Sequence, residues 1–312
     1  MKLIKATLLS MLIATASFAD EAKKSTANHL QDVSVTIRSE GDWSAGEGSG
    51  VIFTRKDKNG ELCNFVWTAA HVVDNLRKTR TVIVNGAPRT VVEFDDAKII
   101  KVIRQDGRTV GRLELDAEVI KYSNADDGHD LALLRVRKMG FVKDTVTFHL
   151  KKDLIPLGTD LWHVGSLLGQ LGSNSMTDGI YSQHGRILTG LNKRIFDQTT
   201  VAAFPGSSGG GVFLKNNANY IGMIVRGAGE TFNLIVPVRR MIEWCERNDM
   251  MWALDPKVDM PTREKLDRMT VEDTGADFST NESDKKRKKR AEVQKNFPFL
   301  LRTETFKELE IK

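Results

Sequence analysis

The chain has 312 residues, 40% of them hydrophobic, with 46 Lys and Arg against 41 Asp and Glu for a net charge of +5. That apolar share excludes a wholly disordered chain, and the length fits one or two domains with room for a tail. A charge excess this small names no partner until it is located along the chain.

The N-terminus reads Met1-Lys2-Leu3-Ile4-Lys5 and then ATLLSMLIATASFAD. Two lysines, an apolar run and small residues around Ser17-Phe18-Ala19 have the form of a secretory signal cleaved after Ala19. The run falls short of the roughly 20 residues that span a bilayer, and no later segment qualifies, so no membrane anchor is expected. Residues 1–19 are expected to be removed, leaving an exported protein in a periplasm or outside the cell. Export permits a disulfide, but sequence alone does not bring Cys63 and Cys245 within bonding distance. Cys63 also sits in an apolar strand, where a buried thiol is ordinary, so both readings stay open. No Cys/His spacing has the form of a zinc site, and no metal or cofactor is implied.

From residue 33 to about 238 the pattern is all-β. A first set of strands is expected at VSVTIRS, GVIFTR, FVWTAA, TVIVN, TVVEF, KIIKVIR and LELDAEVIKY. Asn59-Gly60, Asn85-Gly86 and Asp106-Gly107 punctuate them, and such pairs supply the positive dihedrals of tight hairpins. TVTFHL, DLWHVGS, GIYSQHGRIL, TTVAAF, GGVFL and YIGMIV form a second set. Two groups joined near residues 136–145 predict two small antiparallel barrels or sandwiches. Pro237 then opens VRRMIEWCERNDMMWAL, where Met241, Ile242, Cys245 and Met251 predict a helix over 238–252 lying on the β body.

Beyond Asp255 the composition turns polar and charged, which predicts a flexible tail, with TFKELEIK suited to a short helix. The run Lys285-Lys286-Arg287-Lys288-Lys289-Arg290 raises the question of nucleic acid, since clustered cations release condensed counterions. No aromatic residues interleave with it, and a solvated charge block is the commoner case. Nucleic acid is therefore not expected as a partner.

Three short stretches carry chemistry. AAFPGSSGGGVF, residues 202–213, sets two serines among glycines in an apolar context. FVWTAAHVVDN places His71 where a strand gives way to a turn, and DDGHDLALLRV places Asp130 just before an apolar run. A hydroxyl is a weak nucleophile until an imidazole accepts its proton, and a buried carboxylate then holds that imidazole in the right tautomer. Each residue alone has an innocent reading as a structural His, a turn Asp or a loop Ser. Together, in the order His, Asp, Ser, they form a candidate triad.

With these contexts the chain resembles the trypsin-like (chymotrypsin-fold) serine proteases, most closely their exported Deg/HtrA-type branch, over most of residues 33–245. GSGVIF at 48–53, PLGTDLWHVGSLLG at 156–169, MTDGIYSQHGRI at 176–187, FDQTTVAAFPGSSGG at 196–210 and NLIVPV at 233–238 follow in that branch's order. The resemblance implies a two-barrel domain over 33–252, with barrels at about 33–135 and 145–238 and the helix after them. Residues 20–32 are an N-terminal segment and 253–312 a tail too short for the peptide-binding PDZ domain common in that branch.

The pattern Gly-x-Ser-Gly-Gly fits the register Gly206-Ser207-Ser208-Gly209-Gly210, which makes Ser208 the nucleophile. The resemblance implies an oxyanion hole from the N–H groups of Gly206 and Ser208, helped by Ser207; one such donor is worth about 2.7–4 kcal/mol. Ser207 stands where many relatives have an aspartate that captures a new N-terminus, so activation by that ion pair is not expected. Gly211 follows the two glycines in place of the usual proline.

The residue six before the nucleophile, Ala202, should form the base of the primary pocket. Val225-Arg226-Gly227 should pair with extended substrate through their backbone, and Asn233 should stand at the pocket wall. No carboxylate stands at Ala202, and Ile224 replaces the histidine of acid-selecting relatives. Cleavage after small or medium apolar residues is therefore expected, because burying an unpaired substrate charge is costly. Polypeptides are the implied substrates, and homo-oligomers are left open. Two rival readings stand beside an exported endopeptidase. One is a protease-fold protein that binds peptides without cutting them, the other a viral polyprotein-processing protease.

Overall fold

The structure, a computed structural model, describes residues 25–42, 44–151, 153–188, 194–227 and 231–272. The signal-like segment, the basic run and TFKELEIK lie outside the described residues.

A short helix α1 (Thr26–Asp32) buries Leu30 and leads into the first barrel. Its strands are β1 (Ser34–Glu40), β2 (Ala45–Lys56), β3 (Leu62–Thr68), then, after α2 (Ala70–Val73) and an outlying hairpin β4 (Arg77–Val84) and β5 (Ala87–Phe94), β6 (Ala97–Gln105), β7 (Arg108–Ser123) and β8 (Leu131–Val136). Antiparallel pairing in the order β1-β2-β3-β8-β7-β6 closes on itself. The second barrel takes β9 (Asp160–Leu167), β10 (Gly172–Ile187), β11 (Ile195–Thr199), β12 (Gly211–Leu214), β13 (Tyr220–Gly227) and β14 (Asn233–Pro237), closed in the order β10-β11-β14-β13-β12-β9. The fold is all-β with two antiparallel barrels, each closed by pairing between the first and last strands of its order.

The turn chemistry is legible in the dihedrals. Asn85-Gly86 (φ 52° and 78°) and Asp106-Gly107 (51° and 76°) have both central residues left-handed, the geometry that matches strand twist. At Asn59-Gly60 only Gly60 is left-handed (φ 81°), and the Asp57 carboxylate accepts the Asn59 and Glu61 N–H groups instead.

Four expected strands differ. TVIVN and TVVEF form β4 and β5, but these pair only with each other as an outlying hairpin in which no side chain is fully buried. TVTFHL is the connection between barrels. It buries Val146 and Phe148 yet makes one isolated parallel bridge, Phe148 with Tyr220. TTVAAF leaves the sheet after Thr199, since the chain must break from β14 to form the loop carrying Ser208.

After β14, Pro237 caps α3 (Val238–Arg247), which buries Val238, Met241, Ile242 and Cys245 on one stripe together with Trp244. The helix stops at Arg247, five residues before its expected end, and a 3-10 turn over Met251–Ala253 follows. Trp67 meets Trp244 edge-on at 5.9 Å, and Trp252 packs on Phe65 at 5.0 Å. Cys63 and Cys245 are both buried and both free thiols.

The expected tail boundary at residue 253 is also corrected. Leu254 and Leu266 are buried, the latter on α4 (Arg263–Asp267), whose Asp267 pairs with Arg135 at 2.6 Å. Tyr122 N–H donates to Val271 C=O at 2.8 Å, and Arg77 Nη2 meets Glu272 Oε2 at 2.9 Å. Residues 253–272 thus pack back onto the first barrel. Among the described residues no helix is long and apolar enough to cross a membrane.

Candidate active site

β3 ends at Thr68, and the extended Ala69 turns the chain into α2, which presents His71. The partner arrives on the turn between β7 and β8. Asn124 Oδ1 accepts Asp126 N–H at 2.7 Å, Asn124 C=O accepts Gly128 N–H at 2.9 Å, and Ser123 Oγ accepts His129 N–H at 2.8 Å. The turn ends with Asp130 in the left-handed region at φ 55°, a conformation Asp tolerates better than most residues.

His71 Nδ1 lies 3.0 Å from each Asp130 carboxylate oxygen, and the His71 backbone N–H adds a bond to Oδ1 at 3.1 Å. The Asp130 side chain is 1% exposed and that of His71 16%. A buried carboxylate accepting Nδ1–H leaves Nε2 as the acceptor, the tautomer a general base requires.

Ser208 comes from the second barrel on the loop before β12. Gly206 (φ 93°) and Gly209 (φ 84°) flank it in conformations that side chains disfavour, and each is pressed against backbone. A Cβ at 206 would fall 2.2 Å from the Ser166 carbonyl oxygen, and one at 209 would fall 2.2 Å from that of Ser49.

The loop is pinned to the first barrel through Ser49 on β2. Ser49 N–H donates to Ser208 C=O at 2.7 Å, while Ser49 Oγ donates to Gly206 C=O and accepts Ser166 N–H, both at 2.7 Å. Thr68 Oγ1, three residues before His71, donates to Ser49 C=O at 2.8 Å, so the two candidate loops share one anchor. Ser208 Oγ and His71 Nε2 are both shielded and accept no hydrogen bond within the described residues. That link of the candidate triad is the one no bond closes.

The expected oxyanion donors separate. Ser207 N–H is committed to Phe204 C=O at 2.9 Å, and Ser207 Oγ accepts Phe204 N–H at 3.1 Å. Ser207 therefore braces the loop as a turn residue, and Gly206 and Ser208 are the N–H groups that remain. Leu168 N–H donates to Pro205 C=O at 2.6 Å, and in a trans peptide this directs the Gly206 N–H to the opposite side. The segment after Leu168 is held in turn from the first barrel. Gln170 N–H and Nε2 donate to the Glu47 carboxylate at 2.8 and 2.6 Å, and Arg112 Nη2 donates to Gln170 C=O at 2.8 Å.

Residues 48–223, more than half of the chain, match the trypsin-like peptidase domain model. The chain belongs to the trypsin-like peptidases. Among solved structures, this trypsin-like peptidase is similar to the HtrA-type protease AlgW with tripeptide, at 21% identity and a TM-score of 0.52. A serine-to-alanine variant of that protein gives 21% and 0.51. In both cases 74% of this chain is covered, and it spans 65% of the other protein's length. That likeness concerns the fold. No curated protein matches the peptidase in sequence.

Around the pocket, the half-buried Ala202 offers its C=O to Thr177 Oγ1 at 2.7 Å. Asn233 is fully buried, donates Nδ2 to Val201 C=O at 2.8 Å, and lies against Gly227, its register partner. On β13 the pairing with β12 ends at Met223, and beyond it Arg226 and Gly227 pair with β14, with no strand of the described residues on the other edge. Val225 belongs to the apolar core. The Arg226 side chain is 2% exposed, and its Nη2 stands 3.9 Å from Asp130 Oδ2. Ser49, Glu47 and Gln170 were not singled out from sequence. The one signal for Ser49 was its place between Gly48 and Gly50, since strand glycines mark close backbone approach.

Proposed function

We propose that this peptidase is an exported serine endopeptidase working through Ser208, His71 and Asp130. The observation that carries the reading is the His71–Asp130 pair, 3.0 Å to both carboxylate oxygens, beside a serine loop anchored through Ser49 to the strand leading into His71. Ser208 Oγ attacks the scissile carbonyl carbon while His71 Nε2 takes its proton, and Asp130 stabilises the imidazolium. The Gly206 and Ser208 N–H groups receive the developing oxyanion. Collapse expels the amine, protonated by His71, and leaves an acyl-enzyme that water then hydrolyses by the same relay.

Extended substrate adds to the free edge of β13 at residues 225–227 by backbone pairing, which tolerates many sequences. The pocket base at Ala202 has no carboxylate, and Asn233 occupies the wall beside Gly227, so residues before the cut are small or medium and apolar. Export rests on residues 1–19, and a mature N-terminus at Asp20 in mass spectra of secreted protein tests it. For the chemistry, a serine-directed fluorophosphonate is reacted with wild type, Ser208→Ala and His71→Ala, alongside cleavage-site profiling on a denatured proteome. Labelling and cleavage lost in both variants support the reading. Retained cleavage in Ser208→Ala overturns it, and no labelling of wild type favours a binding protein that does not cut.

A further inference from the structure

β13 reads YIGMIVRG and is buried along its whole length, yet it carries a guanidinium. The register with β14 shifts between Ile224 and Arg226, a bulge that re-aims the following side chain. Arg226 Nη2 then donates to Ala125 C=O at 3.2 Å and stands 3.9 Å from Asp130 Oδ2. Both contacts fall on the turn that presents the triad carboxylate.

A second guanidinium reinforces that turn. Arg240, on α3, donates Nη1 to Ile195 C=O at 2.8 Å and Nη2 to His129 C=O. Both guanidinium groups lie over the Phe196 ring, at 4.5 Å for Arg240 and 5.6 Å for Arg226. The charges acting on Arg240 and on His129, the neighbour of Asp130, come from several elements: Asp130 itself, Arg226 on β13, Arg240, Glu243 and Arg247 on α3, and Arg194 ahead of β11. His129 adjoins Asp130, and burial, followed by Arg194, Arg240 and Arg247, pushes it down to about 3, so it is neutral. Asp74, beyond α2, is engaged by Tyr122 Oη. Burial pushes Arg240 down to about 9 against the attraction of Asp130, which leaves it charged at neutral pH.

We propose that Arg226 is a positioning residue of the triad, holding the Asp130 turn and, through the carboxylate, setting the pH at which His71 becomes an effective base. This rests on the Ser208–His71–Asp130 reading of the site. The two legs through Asp130 Oδ2 put the guanidinium nitrogen within about 7 Å of His71 Nδ1, where a like charge disfavours the imidazolium. The carboxylate attracts the imidazolium, and Arg226 offsets part of that attraction. It also gives a carboxylate with 1% exposure a counter-charge.

The test uses the full chain as wild type, Arg226→Met, Arg226→Gln and Arg226→Lys; Gln keeps a donor for Ala125 C=O without the charge. Two readouts are taken: the acid limb of kcat/KM, and the NMR titration of the His71 ring. Removing the charge should move both upward by about one pH unit, with Lys near wild type. An unmoved His71 titration in Met and Gln, or an equal shift in Lys, overturns the proposal. If Met and Gln fail to fold while Lys folds, the counter-charge is supported; if all three fail, the residue only packs. Should the wild type hydrolyse nothing, the ring titration still decides the role of Arg226 while the protease reading falls by itself.

Discussion

Ser49→Ala removes one oxygen and with it one tie to the Ser208 loop and one to β9. Ser49 is fully buried, Ser166 is 1% exposed, and Gly206 is buried as well. Without Oγ, the Ser166 N–H loses its acceptor and the Gly206 C=O loses a donor, each bond having been 2.7 Å long. An orphaned buried donor costs about 1–3 kcal/mol and the weakened carbonyl about 1 more, so a loss of about 2–4 kcal/mol is expected. The backbone bond from Ser49 N–H to Ser208 C=O survives, so the loop loosens and does not detach. A displacement of about 1 Å at a reacting group can cost a hundredfold, and kcat/KM should fall by about ten- to a hundredfold. Denaturant unfolding gives the first number, as a lower midpoint at unchanged slope. Peptide hydrolysis and the fluorophosphonate labelling rate give the second. A variant within about 0.5 kcal/mol of wild type, with unchanged kcat/KM, would falsify the anchoring role of Ser49.

Three further outcomes follow from the same geometry. A chain ending at Asp255 loses the buried Leu266 and leaves Arg77, 8% exposed, without Glu272, so in thermal unfolding it should be less stable by about 3–6 kcal/mol than a chain ending at Glu272. Burial pushes His163 down to about 4 and His129 to about 3. The unfolded chain therefore binds their protons first, and stability should drop by about 1.4 kcal/mol per pH unit for each as pH falls below about 6.5; His163→Asn, which keeps a donor for Gly211 C=O, should flatten that slope in urea titrations at stepped pH. Gln170→Ala removes the Nε2–Glu47 bond and loosens the segment that fixes Pro205 C=O, so kcat should drop several-fold with KM nearly unchanged, while an unaltered kcat would show that this side-chain bond does not reach the candidate oxyanion site.

The sequence by itself determined most of the strands, because period-two patterning and Asn-Gly or Asp-Gly turns are local signals that survive into the fold. It also nominated His71, Asp130 and Ser208, whose contexts are short: a strand end, a turn before an apolar run, and a glycine-flanked loop. Tertiary structure decided whatever depended on contacts between distant segments. The barrel closed without β4 and β5, which pair only with each other, and the burial of Leu266 with the Arg135–Asp267 pair drew residues 253–272 out of the expected tail. The bulge before Arg226 set its side chain beside Asp130, a contact between segments about 100 residues apart. Ser49 could not be recognised as an anchor from its own surroundings, since its partners Gly206 and Ser166 lie 157 and 117 residues away and meet it only where the two barrels touch.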